Sequence, residues 1–220
     1  WIDGIAKNHP KWILKQVVFC DLTNPRMPAE IDIFEQLPSV VGVRQILSRA
    51  PGKEAGSILL DNLGSPVVLE NLKLLSKRGH TFDLQLIPEV MNKAALLFER
   101  VPELKVALCH AGSPHDRTID GIRYWQKALT SISSLTNVTC KISGLGMFQH
   151  HWSIEDFRPL TETCLDQFGS ERCMFGSNFP VDSLYSDYNA LISAFKILVP
   201  KTSHKAVFEK TACNFYSIRM

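Results

Sequence analysis

Polar side chains follow the ends of several apolar runs in this 220-residue chain, and their types are suited to catalysis. His110 follows the run KVALC and opens the sequence His-Ala-Gly-Ser-Pro, whereas Asn178 lies in Gly-Ser-Asn-Phe-Pro after the run RCMF. A histidine at such a position can bind a metal, transfer a proton or polarise a carbonyl, or be a hydrogen-bonded structural residue. A short amide at a sharp strand exit points into a site or caps neighbouring backbone groups.

Five further residues are candidates for substrate binding, namely Arg44, Gln45, Gln85, Lys141 and His151. Arg44 is suited to bidentate binding of a carboxylate, although a salt bridge to a neighbouring strand is an equal alternative. Because side chains alternate along a strand, at most one of Arg44 and Gln45 faces a common site. Gln85 and Lys141 bind substrate or pack in a polar layer, and His151 is a substrate-facing or a solvated loop residue.

Short apolar, β-branched runs predict six strands, over residues 16–21, 40–46, 81–87, 105–109, 138–143 and 172–175. They lack strict polar alternation, which is typical of parallel strands that are covered on both faces. Helical spacing between and after them predicts helices over residues 91–101, 184–198 and 205–216. Ser153 and Asp156 have the spacing of a capped helix start.

This rhythm of strands and helices predicts an α/β fold, either an open doubly wound sheet or a TIM-type (β/α)₈ barrel. A dinucleotide-binding sheet would show a glycine-rich turn after its first strand, and the chain has none there. Candidate site residues follow nearly every strand, as in a barrel whose site occupies one face. We therefore predict one barrel domain over residues 1–220, of which about six βα units are visible.

Composition excludes several classes of function. The net charge of +2, from 24 basic and 22 acidic residues, gives no electrostatic case for nucleic acid or an anionic membrane. No apolar run approaches the roughly 20 residues that a membrane-spanning helix needs. The six cysteines form no Cys-x-x-Cys pair and mostly lie in apolar runs, which predicts buried, reduced thiols and a cytoplasmic location.

Five motifs, in this order, resemble the amidohydrolase-related branch of the amidohydrolase superfamily. They are Val-Gly-Val-Arg-Gln-Ile-Leu, Phe-Asp-Leu-Gln-Leu, His-Ala-Gly-Ser-Pro, Lys-Ile-Ser-Gly and Met-Phe-Gly-Ser-Asn-Phe-Pro-Val. The resemblance runs from about residue 5 to the end, where Asn214 and Tyr216 match the family's terminal helix. It implies a distorted (β/α)₈ barrel whose visible strands are the third to the eighth. Members hydrolyse lactones or amides, or decarboxylate or hydrate related acids, and include fuconolactone and pyrone-dicarboxylate lactonases.

By this resemblance, His110 matches the sixth-strand histidine, and Asn178 stands where an eighth-strand aspartate is expected. The chain contains no His-x-His, so His110 is the one residue matching the family's metal ligands, and a zinc cofactor is left open. Lactonases of this branch can work without a metal. A neutral amide cannot take a proton from water as a carboxylate does, and Asp182 is the nearest substitute base.

The sequence thus predicts a hydrolase that cleaves a small carboxylated or sugar-derived lactone. Two alternatives stay open: an impaired barrel that only binds a ligand or partner, and a metal-dependent decarboxylase. The chain begins with Trp1 and is shorter than the roughly 250 residues of a complete barrel, which indicates the C-terminal part of a longer protein. Uncovered strand edges in such a part predict self-association into a homo-oligomer.

Overall fold

A single sheet of six parallel strands lies at the centre of the fold, in the order β1-β2-β3-β4-β5-β6. The computed structural model describes residues 1–51 and 58–219. The strands are β1 (Gln16–Phe19), β2 (Val40–Ile46), β3 (Thr81–Gln85), β4 (Val106–Leu108), β5 (Val138–Ile142) and β6 (Cys173–Phe175). The six predicted strands are confirmed in number, order and direction, and the fold is an α/β partial barrel.

Helices alternate with the strands, as the βα rhythm predicts. They are α1 (Ile2–Asn8), α2 (Met27–Phe34), α3 (Ile58–Asp61), α4 (Pro66–Lys77), α5 (Met91–Phe98), α6 (Ile119–Ser133), α7 (Ile154–Phe168), α8 (Tyr188–Leu198) and α9 (Thr211–Phe215). The predicted capping box of Ser153 and Asp156 is present at the start of α7. No helix in the described part of the chain is long and apolar enough to cross a membrane.

The two faces of the sheet differ in character. The outer face carries fully buried apolar residues, such as Val43, Leu84 and Cys140, which belong to the main hydrophobic core. A second, small apolar cluster consists of Ala107, Met174 and Phe215, with Tyr216 packed against it. Phe215 is the last residue of α9, so the C-terminal segment packs against the inner face of the curved sheet. The polar side chains of that face lie beyond this cluster, toward the carboxyl ends of the strands.

Several elements are shorter than the sequence predicts. Strand β3 ends at Gln85 and not at residue 87, since Pro88 begins a 3-10 turn three residues later. Helix α8 begins at Tyr188 and not at residue 184, because the carboxylate of Asp187 caps it by accepting the Ala190 N–H at 2.9 Å. The segment 205–216 is not one regular helix, because a π-helical turn over Ala206–Lys210 precedes α9.

Five of the six cysteines are buried and the sixth, Cys213, is half-buried, and all of them are free thiols. Burial raises the pKa of Cys109 to about 12, so this thiol stays protonated at neutral pH. The predicted buried, reduced thiols are therefore present, and burial disfavours the thiolate form of Cys109.

We expect the 220-residue chain, purified by itself, to self-associate, because β1 has one paired neighbour and its Phe19 is 70% exposed. An edge strand with an exposed aromatic residue offers both unpaired backbone groups and apolar surface to a second copy. Sedimentation velocity should show dimers or larger species, and Phe19→Lys should shift them toward monomer. Leu96→Lys, which replaces an exposed apolar residue on α5, is the control that should change nothing. A compact monomer at every concentration would contradict the expectation.

Candidate active site

Charged side chains from three strands meet on the inner face of the sheet. In the parallel register Arg44 of β2 lies beside Asp83 of β3, and Asp83 lies beside Ala107 of β4. Residues in register share a face because side chains alternate along each strand. Lys141 of β5 reaches the same place, since its ammonium lies 2.6 Å from a carboxylate oxygen of Asp83.

Asp83 is the buried centre of this group, with 2% of its surface exposed. One carboxylate oxygen accepts from Lys141 Nζ at 2.6 Å, and Tyr216 OH lies 2.8 and 3.0 Å from the two oxygens. Burial and the neighbouring carboxylate raise the pKa of Tyr216 far above its usual value, so it acts as a donor. The negative charge of Asp83 is therefore fully compensated by Lys141 and Tyr216 and is not available to bind a cation.

Arg44 has a different environment, because its partners are neutral. Its Nη2 donates to Gln85 Oε1 and lies 3.2 Å from Nε2 of His110. Within residues 1–51 and 58–219 no carboxylate forms an ion pair with this guanidinium, since the neighbouring Asp83 is paired with Lys141. The salt-bridge alternative for Arg44 is thus not what the structure shows, and a half-buried cation remains free to bind an anion.

His110 is 5% exposed and lies between Arg44 and Ser143. Because a guanidinium can only donate, Nε2 of His110 is the acceptor, and Nδ1–H therefore donates to Ser143 Oγ at 2.9 Å. Burial, followed by the positive charges of Arg44 and Lys141, lowers the pKa of His110 to about 3. The imidazole is neutral at physiological pH and presents a lone pair beside Arg44.

The strand exits that carry His110 and Asn178 have unusual backbone conformations. The backbone φ angles of His110, Ala111 and Asn178 are 55°, 51° and 56°. These values lie in the left-handed region that residues other than glycine rarely adopt. Such conformations persist where the surrounding structure holds them, and they concentrate at functional sites. Here they lie within three residues of the ends of β4 and β6 and place the His110 and Asn178 side chains at the carboxyl end of the sheet.

Asn178 contacts the carboxyl group of Asp182, four residues further along the chain. Its Nδ2 donates to Asp182 Oδ1 at 2.7 Å. Asp182 is 1% exposed, and its second oxygen has no hydrogen-bond partner among the described residues. Burial raises the pKa of this carboxyl above its usual value, partly offset by the bond from Asn178.

Gly144, which follows β5, brings the His110 and Asn178 side chains close together. A Cβ atom added to it would lie 2.7 Å from His110 Nδ1 and 3.0 Å from Asn178 Nδ2. Its φ of +61° also favours glycine. Glycine is therefore required at this position for the imidazole and the amide to approach the loop after β5.

Gly144→Ala should reduce activity at least about 10-fold, because a misplacement of about 1 Å in a site is costly, and should destabilise the protein by more than about 1–2 kcal/mol. The matched control is Gly79→Ala, since Gly79 has a φ of +74° and nothing within 4 Å of an added Cβ. In Gly79→Ala the free energy of unfolding falls only because alanine disfavours the left-handed backbone, since the added Cβ meets no neighbouring atom. Urea unfolding and steady-state kinetics of both variants measure the difference, and equal losses in the two would contradict a steric role for Gly144.

The structure places two of the predicted substrate-binding residues outside this group. Gln45 points to the opposite face from Arg44, where its Oε1 accepts the Leu22 N–H at 2.8 Å and its Nε2 donates to Asp21 at 3.0 Å. It therefore holds the loop after β1 and lies outside the group of Arg44, Gln85 and His110, although it also lines the cavity beside Arg44. His151 is exposed in the loop after β5 and has no contact with the inner group.

A cavity of about 500 Å³ adjoins Arg44 on the inner face of β1 and β2. Its apolar walls are Val17, Phe19 and Ile46. The polar residues that line it are Asp21, Arg44, Gln45 and Arg49. A volume of this size and a mainly apolar wall with few polar groups are usual for a small-molecule site. Arg44 belongs both to this cavity and to the polar group with His110 and Gln85, so the candidate site consists of the cavity and the polar group on either side of the guanidinium.

Comparison with known proteins identifies the family of the chain. The family model for amidohydrolases matches residues 1–218. The chain belongs to the amidohydrolase family. This amidohydrolase is therefore a hydrolase, and the predicted resemblance and fold are confirmed.

The relatives include proteins whose names state a lactonase activity. The chain is 33% identical over 227 residues to the uncharacterized protein y4mH of Sinorhizobium fredii, covering 99% of this chain and 74% of the relative. It is 26% identical over 211 residues to L-fucono-1,5-lactonase of Burkholderia ambifaria, covering 92% and 70%. An amidohydrolase structure from Burkholderia multivorans with bound zinc has a TM-score of 0.84 at 22% identity, covering 98% and 77%.

The residues of this amidohydrolase do not fit a comparable zinc site. No group of three or more His, Cys, Asp or Glu side chains in the described ranges is arranged to hold a metal ion. The lone pair of His110 faces the Arg44 guanidinium at 3.2 Å, and Asp83 is already paired with Lys141. A divalent cation beside two basic side chains would be strongly repelled.

Sequence reasoning missed Asp83 and Tyr216 as members of the site. Asp83 occurs in the apolar run TFDLQ two residues before Gln85, so it shares the face of that candidate residue. That spacing was the available signal for Asp83. Tyr216 gave no local signal, because it meets Asp83 across 133 residues of sequence through the fold of the C-terminal segment.

Proposed function

We propose that this amidohydrolase hydrolyses a small lactone that carries a carboxylate group, by cleaving the C–O bond of the ring ester. The observation that carries the proposal is the half-buried guanidinium of Arg44, whose partners in the site are the neutral Gln85 and His110. A partly buried cation without an anionic partner is suited to binding one from the substrate. The lactonase name of the Burkholderia ambifaria relative supports the ester class.

The substrate's position follows from the cavity. Its carboxylate binds to Arg44 in a bidentate manner, and its ring lies against Phe19 and Ile46. Gln85 accepts from Arg44 and so fixes the plane of the guanidinium. In this pose the reacting ester lies toward His110, which is the other neighbour of the guanidinium.

His110 then serves as the proton carrier. When the Nη2 donor of Arg44 binds the substrate carboxylate, Nε2 of His110 is released as an acceptor. Water then attacks the carbonyl carbon of the lactone while its proton moves to Nε2. The ring C–O bond breaks, and His110 returns the proton to the leaving ring oxygen, which gives the open hydroxy acid. Ser143 Oγ accepts from Nδ1–H throughout and keeps Nε2 as the reacting nitrogen. A carboxylate on Arg44 offsets part of the charge that lowers the pKa of His110, so the bound substrate makes Nε2 more basic.

Lys141 stabilises the negative charge that develops on the carbonyl oxygen. Its ammonium is held by Asp83 at 2.6 Å and lies over the Tyr216 ring, 5.1 Å from the centroid. These contacts leave other N–H donors of the ammonium for the substrate. A fixed donor aimed at developing charge is an effective means of transition-state stabilisation.

The test is a comparison of three lactone substrates: 2-pyrone-4,6-dicarboxylate, L-fucono-1,5-lactone and a simple uncharged lactone. We expect the carboxylated lactone to have the highest kcat/KM, measured by proton release in weak buffer. If only the sugar lactone is hydrolysed, the assignment of Arg44 to a substrate carboxylate is wrong. If none is hydrolysed while equilibrium dialysis detects binding, the ligand-binding alternative replaces the hydrolase proposal.

A further inference from the structure

Asp182 is a buried carboxyl group to which the proposed proton transfer assigns no role. It lies in the 3-10 turn Val181–Leu184, and it is buried next to the loop after β5. The position of a Cβ on Gly146 would be 3.9 Å from Asp182 Oδ2, and Trp152 flanks the same glycine. Among the described residues no charged side chain contacts Asp182, and its side-chain partner is the amide of Asn178.

Comparison with Asp83 shows what is unusual about Asp182. Both are almost fully buried, but Asp83 accepts hydrogen bonds on both oxygens and lies against an ammonium group. Asp182 accepts on Oδ1 alone, and Oδ2 has no partner. Buried polar atoms in native proteins are almost always satisfied, so an unpaired carboxylate oxygen is costly to the fold. A carboxyl kept at such a cost has the character of a functional group.

The bond between the two residues fixes the direction of the Asn178 amide. Since a carboxylate accepts and does not donate, Nδ2 must point to Asp182, and the amide oxygen must point away from it. No donor within the described ranges bonds that oxygen. Donation to a carboxylate also polarises the amide and makes its oxygen a stronger acceptor. Asn178 in turn lies beside His110, since both approach Gly144 within 3.0 Å of its Cβ position.

We propose that Asp182 is the positioning carboxylate of the active site, which holds and polarises the Asn178 amide so that its oxygen orients the attacking water. The inference rests on the proposed function for its kinetic consequence. In this arrangement the amide oxygen of Asn178 orients the water, the negative charge of Asp182 polarises that amide, and His110 accepts the proton of the water. Asn178 and Asp182 together thereby have the function of the single aspartate that the family resemblance predicts at the end of β6.

The test for a positioning role uses Asp182→Asn, which preserves the acceptor for Asn178 but removes the charge. We expect kcat to fall roughly 10- to 100-fold with little change in KM, because orientation of the water is lost and substrate binding is not. The exchanged double variant Asn178→Asp/Asp182→Asn restores a bonded carboxylate–amide pair and should recover part of kcat. Asp187→Asn, an exposed aspartate in the segment before α8, is the control that should keep full activity. Wild-type kcat in Asp182→Asn would overturn the proposal.

A second test needs no activity. The folded protein raises the pKa of Asp182, so its carboxyl favours folding below the unfolded value of about 3.8 and loses that contribution as pH rises through the folded value. Asp182→Asn should therefore raise Tm above pH 7, by about 2–4 °C, and leave it unchanged near pH 3. A lower Tm at neutral pH would make Asp182 a structural anchor and overturn the proposal.

NMR separates failure of this inference from failure of the proposed function. The side-chain amide of Asn178, identified by its loss in Asn178→Ser, should shift with pH as Asp182 ionises, and this shift should vanish in Asp182→Asn. Without such a titration in the wild type, the pairing is wrong even if lactones are hydrolysed. If the titration is present and no lactone is hydrolysed, the pairing holds and the proposed reaction is wrong.

Discussion

Replacing His110 with asparagine should lower kcat for lactone hydrolysis by about 10²- to 10⁴-fold, the range expected for loss of a general acid–base group. Asparagine is chosen because it tolerates the left-handed backbone at this position, where φ is 55°. Its amide can still donate to Ser143, as Nδ1–H of the imidazole does. The variant therefore removes the Nε2 lone pair and leaves the strand exit intact.

The pH dependence gives a second, independent result for His110. Because its folded pKa is lowered to about 3, the free enzyme should show no inflection of kcat/KM near pH 6.5 from this residue. The contribution of His110 to the free energy of unfolding also depends on pH, as expected for a histidine that is buried in its neutral form. It is present above the unfolded pKa of about 6.5 and is lost as pH falls from there toward 3. His110→Asn should accordingly lose less stability than the wild type between pH 6.5 and pH 4.

The matched control is His80→Asn, which removes another buried histidine. His80 is 8% exposed and lies directly before β3, near Glu35 and away from the candidate site. It should lower Tm and leave kcat at the wild-type value. Equal kcat in His110→Asn and the wild type, or an inflection near pH 6.5 that disappears in His110→Asn, would contradict the role of a neutral proton acceptor.

The sheet could be predicted because each strand is written in a short local run. Val40–Ile46 was predicted with its observed bounds, since a β-branched run with a single glycine specifies a strand without help from distant residues. Strand ends were predicted less well. Residues 86 and 87 continue the apolar run but leave the sheet, because Pro88 and the serine at position 48, which accepts the Ile87 N–H at 3.1 Å, redirect the chain. Such a bond across 39 residues is invisible in the local pattern.

The residues of the site could likewise be predicted from local runs, whereas their interaction partners could not. His110, Arg44, Gln85 and Lys141 were found because each follows or ends an apolar run, and a parallel sheet places such ends together. Their partners were not predictable, since the sequence does not show that Asp83 neutralises Lys141 and leaves Arg44 unpaired. That choice depends on Tyr216, which reaches Asp83 from the last turn of the chain. The residue type and its position at a strand end could be predicted from the sequence. The charge state of the side chain and the partner that it contacts depend on how distant segments pack together.

Replacing Arg44 with methionine should lower kcat/KM for a carboxylated lactone by about 10²-fold or more, because each hydrogen bond to a charged group contributes roughly 1.5–3 kcal/mol and a bidentate contact has two. The loss should be mainly in KM, since the carboxylate is bound equally in the ground and transition states. An uncharged lactone should lose far less, as it has no group for the guanidinium. Arg44→Lys should fall between, because an ammonium cannot form the planar bidentate contact.

Arg49→Met tests whether the substrate carboxylate binds to Arg44 or to the other arginine that lines the cavity. Arg49 is exposed and lines the same cavity as Arg44, so a general attraction of anions would make the two variants similar. We expect Arg49→Met to change KM by less than about 3-fold, as is usual for an exposed charge. Removing Arg44 also removes a charge that lowers the pKa of His110, so an inflection should enter the kcat/KM profile of Arg44→Met at higher pH than in the wild type. Equal losses for charged and uncharged lactones in Arg44→Met would show that this arginine supports the fold of the site and does not bind the substrate carboxylate.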